Sequence, residues 1–431
     1  MALTGRLGVL ALACAALVGL AAPSWTGILA VQAGLLGLVA VDLLLAGSVR
    51  ALQLTRSGAE SVRLGEPAEV SLAVTNTGRR AVRGQLRDAW PPSAGALNSR
   101  HRITVPAGTR RTVTTVLRPS RRGDRQADRV TVRALGPLGL AGRQGSHPVP
   151  WTVRVLPPFH SRRHLPSRLA RLRELDGRTL IMVRGQGSEF DSLRDYVLGD
   201  DVRSIDWRAT ARRQNVVVRT WRPERDRHIL VVLDTGRTSA GRVGDAPRLD
   251  AALDAALLLA ALATRAGDRV DLLAYDRAVR ASVQGAGAAE VLPAFVNAMA
   301  PLEPALLEVD WRGLAAQIQR RARHRSLVVL LTGLDASAVE SGLSQVLPVL
   351  VHRHQVVVAS VADPRIEEMA AGRGAAEQVY EAAAAERTRL ERRRTTAELA
   401  RRSVEVVDAS PDELPPALAD RYLQLKAAGR L

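Results

Sequence analysis

Three segments in the second half of the chain are apolar almost without a break: "HILVVLDT" (His228–Thr235), "SLVVLLTGLD" (Ser326–Asp335) and "QVVVASVAD" (Gln355–Asp363). A strand with one wet face alternates in polarity, whereas these runs need cover on both faces. Helices packed on either side of a mostly parallel sheet supply that cover. The intervening segments are helix-like, beginning with "RLDAALDAALLLAALATRAG" and including a long Ala/Glu/Arg segment that reaches Arg402. "DRVDLLAYD" is followed by "AVRASVQG" too closely for a crossover, so one antiparallel edge is expected. Residues 228–431 therefore predict a doubly wound α/β domain. Aromatics make up only 3 % of the chain, so its cores must rest on Leu, Val and Ala.

The first 50 residues pose a different constraint. "LGVLALACAALVGLAA" and "GILAVQAGLLGLVAVDLLLAG" are the longest apolar stretches, separated by "PSWT" with Trp25. The second is long enough to cross a hydrocarbon core and the first is slightly short. Arg6 precedes the pair and Arg50 and Arg56 follow it, while the short loop is uncharged. The positive-inside rule then predicts a transmembrane hairpin over 1–50, multi-pass, with both ends and the soluble domains in the cytoplasm. "GLAAPS" also resembles a signal-peptide cleavage site; the second segment alone would still leave Arg50 inside. Asp42, near the inner end of the second segment, is expected to lie shallow enough to be hydrated.

From 51 to 157 the pattern turns to short alternating runs, among them "AEVSLAVTN", "RRTVTTVLRP" and "WTVRVLPP", punctuated by turn clusters such as "NTGRR" and "GPLG". This predicts an antiparallel β-sandwich of immunoglobulin-like kind. Residues 158–227 read as a linker with a short helix, followed by a charged collar. His160 and His164 have helical metal-pair spacing, but Pro166 discourages one continuous helix there.

Net charge is +18, yet the basicity is nearly all arginine, Lys426 being the single lysine. No compact basic stripe with interleaved aromatics is present, so nucleic acid is not an expected partner. Cys14 is alone in an apolar run, which excludes a disulfide framework or thiol metal site. "RGQGS" (Arg184–Ser188) lacks the lysine of a phosphate loop, and Asp200 and Asp201 are adjacent and should diverge. No catalytic Ser/His/Asp set stands out, no small-molecule substrate is indicated, and the chain reads as a non-enzyme.

Ligands of a doubly wound sheet bind beyond the carboxyl ends of its strands, where Asp234, Gly236 and Thr238 fall. A carboxylate followed at alternate positions by hydroxyls resembles the metal-holding motif of von Willebrand factor A domains. Asp234 and Thr238 match it, while Gly236 lacks the serine oxygen. Val309 or Asp310 stands for the threonine, and Gly333 for the later aspartate, with Asp335 two residues on. The expectation is a degenerate site with no cofactor and at most weak Mg²⁺ binding. "DTGRT" also resembles a haloacid-dehalogenase phosphatase motif, but Gly236 replaces its second acid and Lys426 is its only candidate lysine.

"GSEFDSLRDYVLGDDVRSIDWRATAR" resembles the signature of the domain-of-unknown-function-58 family. The matching residues are Leu193–Arg194–Tyr196, Gly199–Asp200–Asp201–Arg203 and Ile205–Asp206–Trp207–Ala211–Arg212. "RPSRRGDRQADRVTVRALGPLGLAGR" is similar to a strand pair that often precedes it, with Gly136 and Leu138 in place of Asp and Phe. The resemblance implies company with MoxR-type AAA+ ATPases. It leaves two compatible readings of the collar: a scaffold in which Asp195, Asp200, Asp201 and Asp206 pair with nearby arginines, Asp206 with Arg212, and Trp207 and Trp221 pack on the sheet domain, or a docking surface. The expected function is a membrane-anchored adaptor whose von Willebrand A-like domain binds a protein partner. The alternative is a metal-dependent hydrolase at the Asp234 loop, and a third class is a binder of anionic lipid or nucleic acid, which a steep loss of binding with salt would reveal.

Overall fold

The computed structural model describes residues 2–21, 24–182, 189–197, 200–213, 215–222 and 227–431. The "RGQGS" stretch, Gly199 of the signature and Ala22–Pro23 of the cleavage-like stretch lie outside the described residues. The chain divides into two compact units, Met1–Pro158 and Phe159–Leu431.

In the first unit, two apolar helices, Gly5–Ala21 and Trp25–Leu45, precede the sandwich. The expected pair of spans reduces, by length and composition, to one. The helical segment Trp25–Ala51 is long and apolar enough to cross a membrane, and Gly5–Leu20 is shorter. The sandwich has one sheet ordered Ala141–Leu156, Gly123–Leu135, Val82–Asp88, Arg100–Val105, and a second of Leu52–Gly58, Ala68–Asn76 and Arg110–Leu117. Leu72, Val74, Val82, Leu86, Ile103 and Val132 fill the space between them, as period-two alternation requires. Leu52–Gly58 is a strand the sequence pattern does not reveal.

Two corrections come from buried charges. Arg56, expected to flank the membrane, is buried in the sandwich with its guanidinium on Asp88, which also accepts from Trp90 Nε1 (2.9 Å) and Thr115 Oγ1 (3.1 Å). Asp42, expected to be hydrated, is 0 % exposed. Its carboxylate takes the backbone N–H groups of Leu138, Leu140 and Ala141, each at 2.8 Å, in the turn joining the two longest strands. Gly136 is needed in that turn, because a Cβ there would run into the Asp42 carboxyl group. Thr4 Oγ1 donates to the carbonyl of Gly139 (2.7 Å) in the same turn. The start of the first helix and the end of the second are thus tied to one turn.

In the second unit the sheet order is Val279–Val283, Arg269–Tyr275, His228–Asp234, Leu327–Leu331, Gln355–Val361, Glu405–Ala409. The first pair is antiparallel and the rest are parallel, as the strand spacing predicts. Leu230, Val232, Val328, Leu330, Val356 and Val358 face a core completed by Leu314, Ile318, Leu343 and Leu347 from helices on one side. Ile229, Val231 and Leu233 are buried on the opposite face, where Arg248–Arg265 and Leu414–Ala427 pack. The short helix read within the linker is longer than expected, 18 residues. A short 3₁₀ turn, His160–His164, leads into Leu165–Met182, with Pro166 in the first turn, where a missing N–H costs nothing. Ser161 Oγ donates to Asp254 (2.8 Å), and Arg168 and Arg171 reach Asp420 at 3.0 and 2.8 Å, which docks this segment on the α/β domain.

Candidate functional site

The signature residues form a small module. Strands Glu189–Asp195 and Val217–Arg222 pair antiparallel, and the chain between them makes a 3₁₀ turn, Val202–Ser204, and a helix, Trp207–Arg213. Arg194 grips Asp200 with two parallel bonds, Nη1–Oδ2 at 2.7 Å and Nη2–Oδ1 at 2.6 Å, and Val197 N–H adds a third to the same carboxylate. Such forks fix geometry as well as charge. The Arg194 contact, then the Val197 amide, hold the Asp200 carboxyl below its ordinary range. Asp201 turns away and caps the 3₁₀ turn through Arg203 N–H (3.0 Å), so the adjacent acids diverge as expected, but Asp201 takes a backbone amide where an arginine partner was expected.

Asp206 caps the helix through Arg208 and Ala209 N–H, both at 3.0 Å, and its second oxygen takes Arg219 Nε at 2.8 Å. The Ala209 amide first, then Arg219, lower its pKa. Its arginine partner is therefore Arg219 on the facing strand and not Arg212, which is exposed further along the helix. Sequence spacing favoured the local arginine; the hairpin brings in the distant one. Trp207 also departs from expectation: it is 69 % exposed, with Val197, Val202 and Val216 exposed on the same module. Tyr196 is half-buried, and its N–H pairs with Val216 O. The side chain of Trp221 lies outside what is described.

At the carboxyl end of the central strand, Asp234 is 2 % exposed. Its Oδ2 accepts the hydroxyls of Thr238 (2.5 Å) and Thr332 (2.6 Å), and its Oδ1 accepts Gly236 N–H (2.6 Å). Burial raises its pKa, and these three donors offset that only in part. The neighbouring Asp276, also buried, is held low: burial would raise it, but Arg280 Nε (2.7 Å) and the Arg277 and Ala278 amides prevail. Thr332 was missed because alignment by position picked Gly333, one residue late. It is recognisable as the first hydroxyl after an apolar strand.

Asp234, Thr238 and Thr332 are the oxygens that could hold a hard cation, and they fit one poorly. A Cβ at Gly236 would stand 2.7 Å from Val309 Cγ2 and 2.9 Å from Leu307 O, so no serine oxygen fits there. Asp310 instead caps helix Trp311–Arg321. Asp335 faces Arg248 at 3.5 Å, a guanidinium that also lies within 4 Å of a Cβ built at Gly333. One carboxylate and two hydroxyls beside a fixed positive charge fall short of an octahedral oxygen shell. Lys426, the phosphatase candidate, bonds Asp268 at 2.9 Å instead.

The structure does assemble a Ser/His/Asp set that sequence reading did not find. His228 Nδ1 lies 2.9 Å from Ser326 Oγ and Nε2 lies 2.9 Å from Asp271 Oδ2, across the amino ends of three adjacent strands. Ser326 is buried and donates its hydroxyl to His324 O (2.9 Å), so it offers no nucleophile and the set acts as a strand staple.

Residues 192–408 match the family described as "Protein of unknown function DUF58". That match covers half of the chain, and the chain belongs to this family. Uncharacterized proteins of Mycobacterium tuberculosis and Mycobacterium bovis are each 26 % identical to it over 197 residues, 45 % of this chain and 61 % of theirs. The chain thus spans about three-fifths of the length of these relatives. Among solved structures, the CARDB domain of the PF1109 protein from Pyrococcus furiosus covers 24 % of this chain and 91 % of its own, at 16 % identity and a TM-score of 0.19. A likeness that slight bears no weight.

Proposed function

We propose that this chain is a membrane-anchored adaptor. Trp25–Leu45 crosses the membrane and the shorter Gly5–Ala21 returns with it, because the start of one and the end of the other are tied to one turn. The soluble units face the cytoplasm, and a von Willebrand A-like α/β domain recruits a protein partner, a MoxR-type AAA+ ATPase. The observation that carries the reading is the signature module. Its strands and turn are tied by Arg194–Asp200 and by Asp206 with Arg219, while Trp207, Val197, Val202 and Val216 are exposed. A rigid mount under an exposed tryptophan is how an interface presents an anchor residue. Hydrolysis at Asp234 is the second reading, favoured by the opposed pKa shifts of Asp234 and Asp276 on neighbouring strand ends. Against it, Asp234 already spends both oxygens on its own hydroxyls and amide. Affinity capture from solubilised membranes with mass spectrometry tests the reading. The wild type should retain an ATPase that Trp207→Ala loses, at an unchanged melting temperature. Equal retention by both would remove the module as the docking surface.

A further inference from the structure

The acids of the sandwich are unevenly placed along its strands, while arginines stand at both ends. One end is set by register: Leu52 pairs with Asn76, Arg110 with Thr75, Val82 with Val105, and Leu135 with Gly142. At this end Arg6, Arg50, Arg79, Arg80, Arg110 and Arg143 are all exposed, and among the described residues none of them meets a carboxylate. Asp42, the carboxylate that lies there, is consumed by three backbone amides. The acids Glu60, Glu66, Glu69 and Asp124 sit toward the opposite end, where Ser61 pairs with Arg154, Ala68 with Leu117 and Gly123 with Val155; Arg63, Arg118, Arg121 and Arg154 stand among them, Arg154 on Asp124, so that end is mixed in sign.

The basic end is also the end from which the apolar helices leave. Arg143 Nε donates to Leu43 O (3.1 Å) and Arg80 donates to Leu44 O, both in the last turn of Trp25–Leu45. Arg6 lies against the Gly139 turn, its Nη1 3.1 Å from the position of a Cβ there. These contacts complement the carbonyl end of the helix, and each guanidinium keeps further N–H groups for other acceptors. With the helices seated in a bilayer as proposed above, guanidiniums at their root would lie at the depth of phosphate headgroups, which such groups bind as paired donors.

We propose that this end of the sandwich is a docking face for anionic phospholipid headgroups, seating the first unit against the leaflet its helices enter. The inference rests on the anchoring read above and adds to it a lipid preference and a fixed depth.

The test uses the full chain in nanodiscs of phosphatidylcholine alone or with added phosphatidylglycerol, read by amide hydrogen exchange. Anionic discs should slow exchange about fivefold or more in segments 76–82 and 105–111, with no change in the distal turn 63–68, and high salt should reverse the effect. Arg79→Gln with Arg110→Gln removes two exposed charges that bond no other described residue, and should abolish most of that protection. A chain that inserts but exchanges alike in both discs overturns the lipid face and leaves the anchor intact. A chain that fails to enter either disc defeats the anchoring read itself. Protection by an added RNA oligonucleotide in neutral discs, with none from anionic lipid, would also overturn the proposal.

Discussion

Asp42→Ala isolates the contact that ties the apolar helix to the sandwich. The carboxylate accepts three amide N–H groups at 2.8 Å, two of them, from Leu140 and Ala141, buried. Leaving a buried donor without an acceptor costs about 1–3 kcal/mol, so the two buried amides alone represent roughly 2–6 kcal/mol. Release of the carboxylate from its own burial offsets part of this, which argues for about 3 kcal/mol net. For a unit of this size that is a fall in melting temperature of roughly 6–12 °C. Asp42→Asn sharpens the test. Its single oxygen can serve the Leu140 and Ala141 amides while Leu138 N–H, partly exposed, turns to water, so Asn should lie between Asp and Ala. Gly136→Ala should also destabilise, since its methyl would strike the Asp42 carboxyl and carbonyl oxygens. The assay is thermal unfolding of the full chain in detergent, followed on near-ultraviolet signal. An Asp42→Ala protein that melts with the wild type would refute the seat and return Asp42 to a hydrated position.

Other outcomes follow from the same geometry. His354 is buried with both ring nitrogens unpartnered, and burial, then Arg353 and His228, hold its pKa below the ordinary value of 6.5. A depressed folded pKa means its stabilising contribution is complete above about pH 6.5 and is lost as pH falls below that. The melting temperature should therefore decline on acidification from that point, and His354→Gln should flatten this first stage. Asp271, which burial would raise but which His228 and the Gly285 amide together hold low, should add a second decline at more acid pH that persists in the variant. Millimolar Mg²⁺ or Mn²⁺ should not raise the melting temperature; a saturable rise abolished by Asp234→Ala would show that Asp335 completes a metal site. An enzyme reporter active only outside the cytoplasm, fused after Leu431, should be silent, and strong activity would overturn the orientation.

The parallel core was legible because His228–Asp234, Leu327–Leu331 and Gln355–Val361 lack alternation, and only two-sided burial explains that. The antiparallel edge was legible from the short connection before Val279. What sequence could not show were pairings across long separations. Arg219 meets Asp206 because a hairpin folds back 13 positions, and Thr332 meets Asp234 across 98. Arg56 and Asp42 were both misassigned for one reason: a charge beside an apolar run reads as a membrane flank, and its buried partner lies far along the chain. His228, Ser326 and Asp271 are remote in sequence and converge only because parallel strands align their amino ends.

Docking through the signature module is tested most directly by a photo-crosslinking residue placed at Val202, which is exposed on the same module as Trp207, in cells carrying the full chain. A matching residue at Leu390, exposed on the long helix Ala376–Arg401, serves as the control. The account predicts one dominant adduct at position 202, with a AAA+ ATPase, that position 390 does not give and that Trp207→Ala suppresses. No adduct at 202, or the same adducts at both positions, would contradict it.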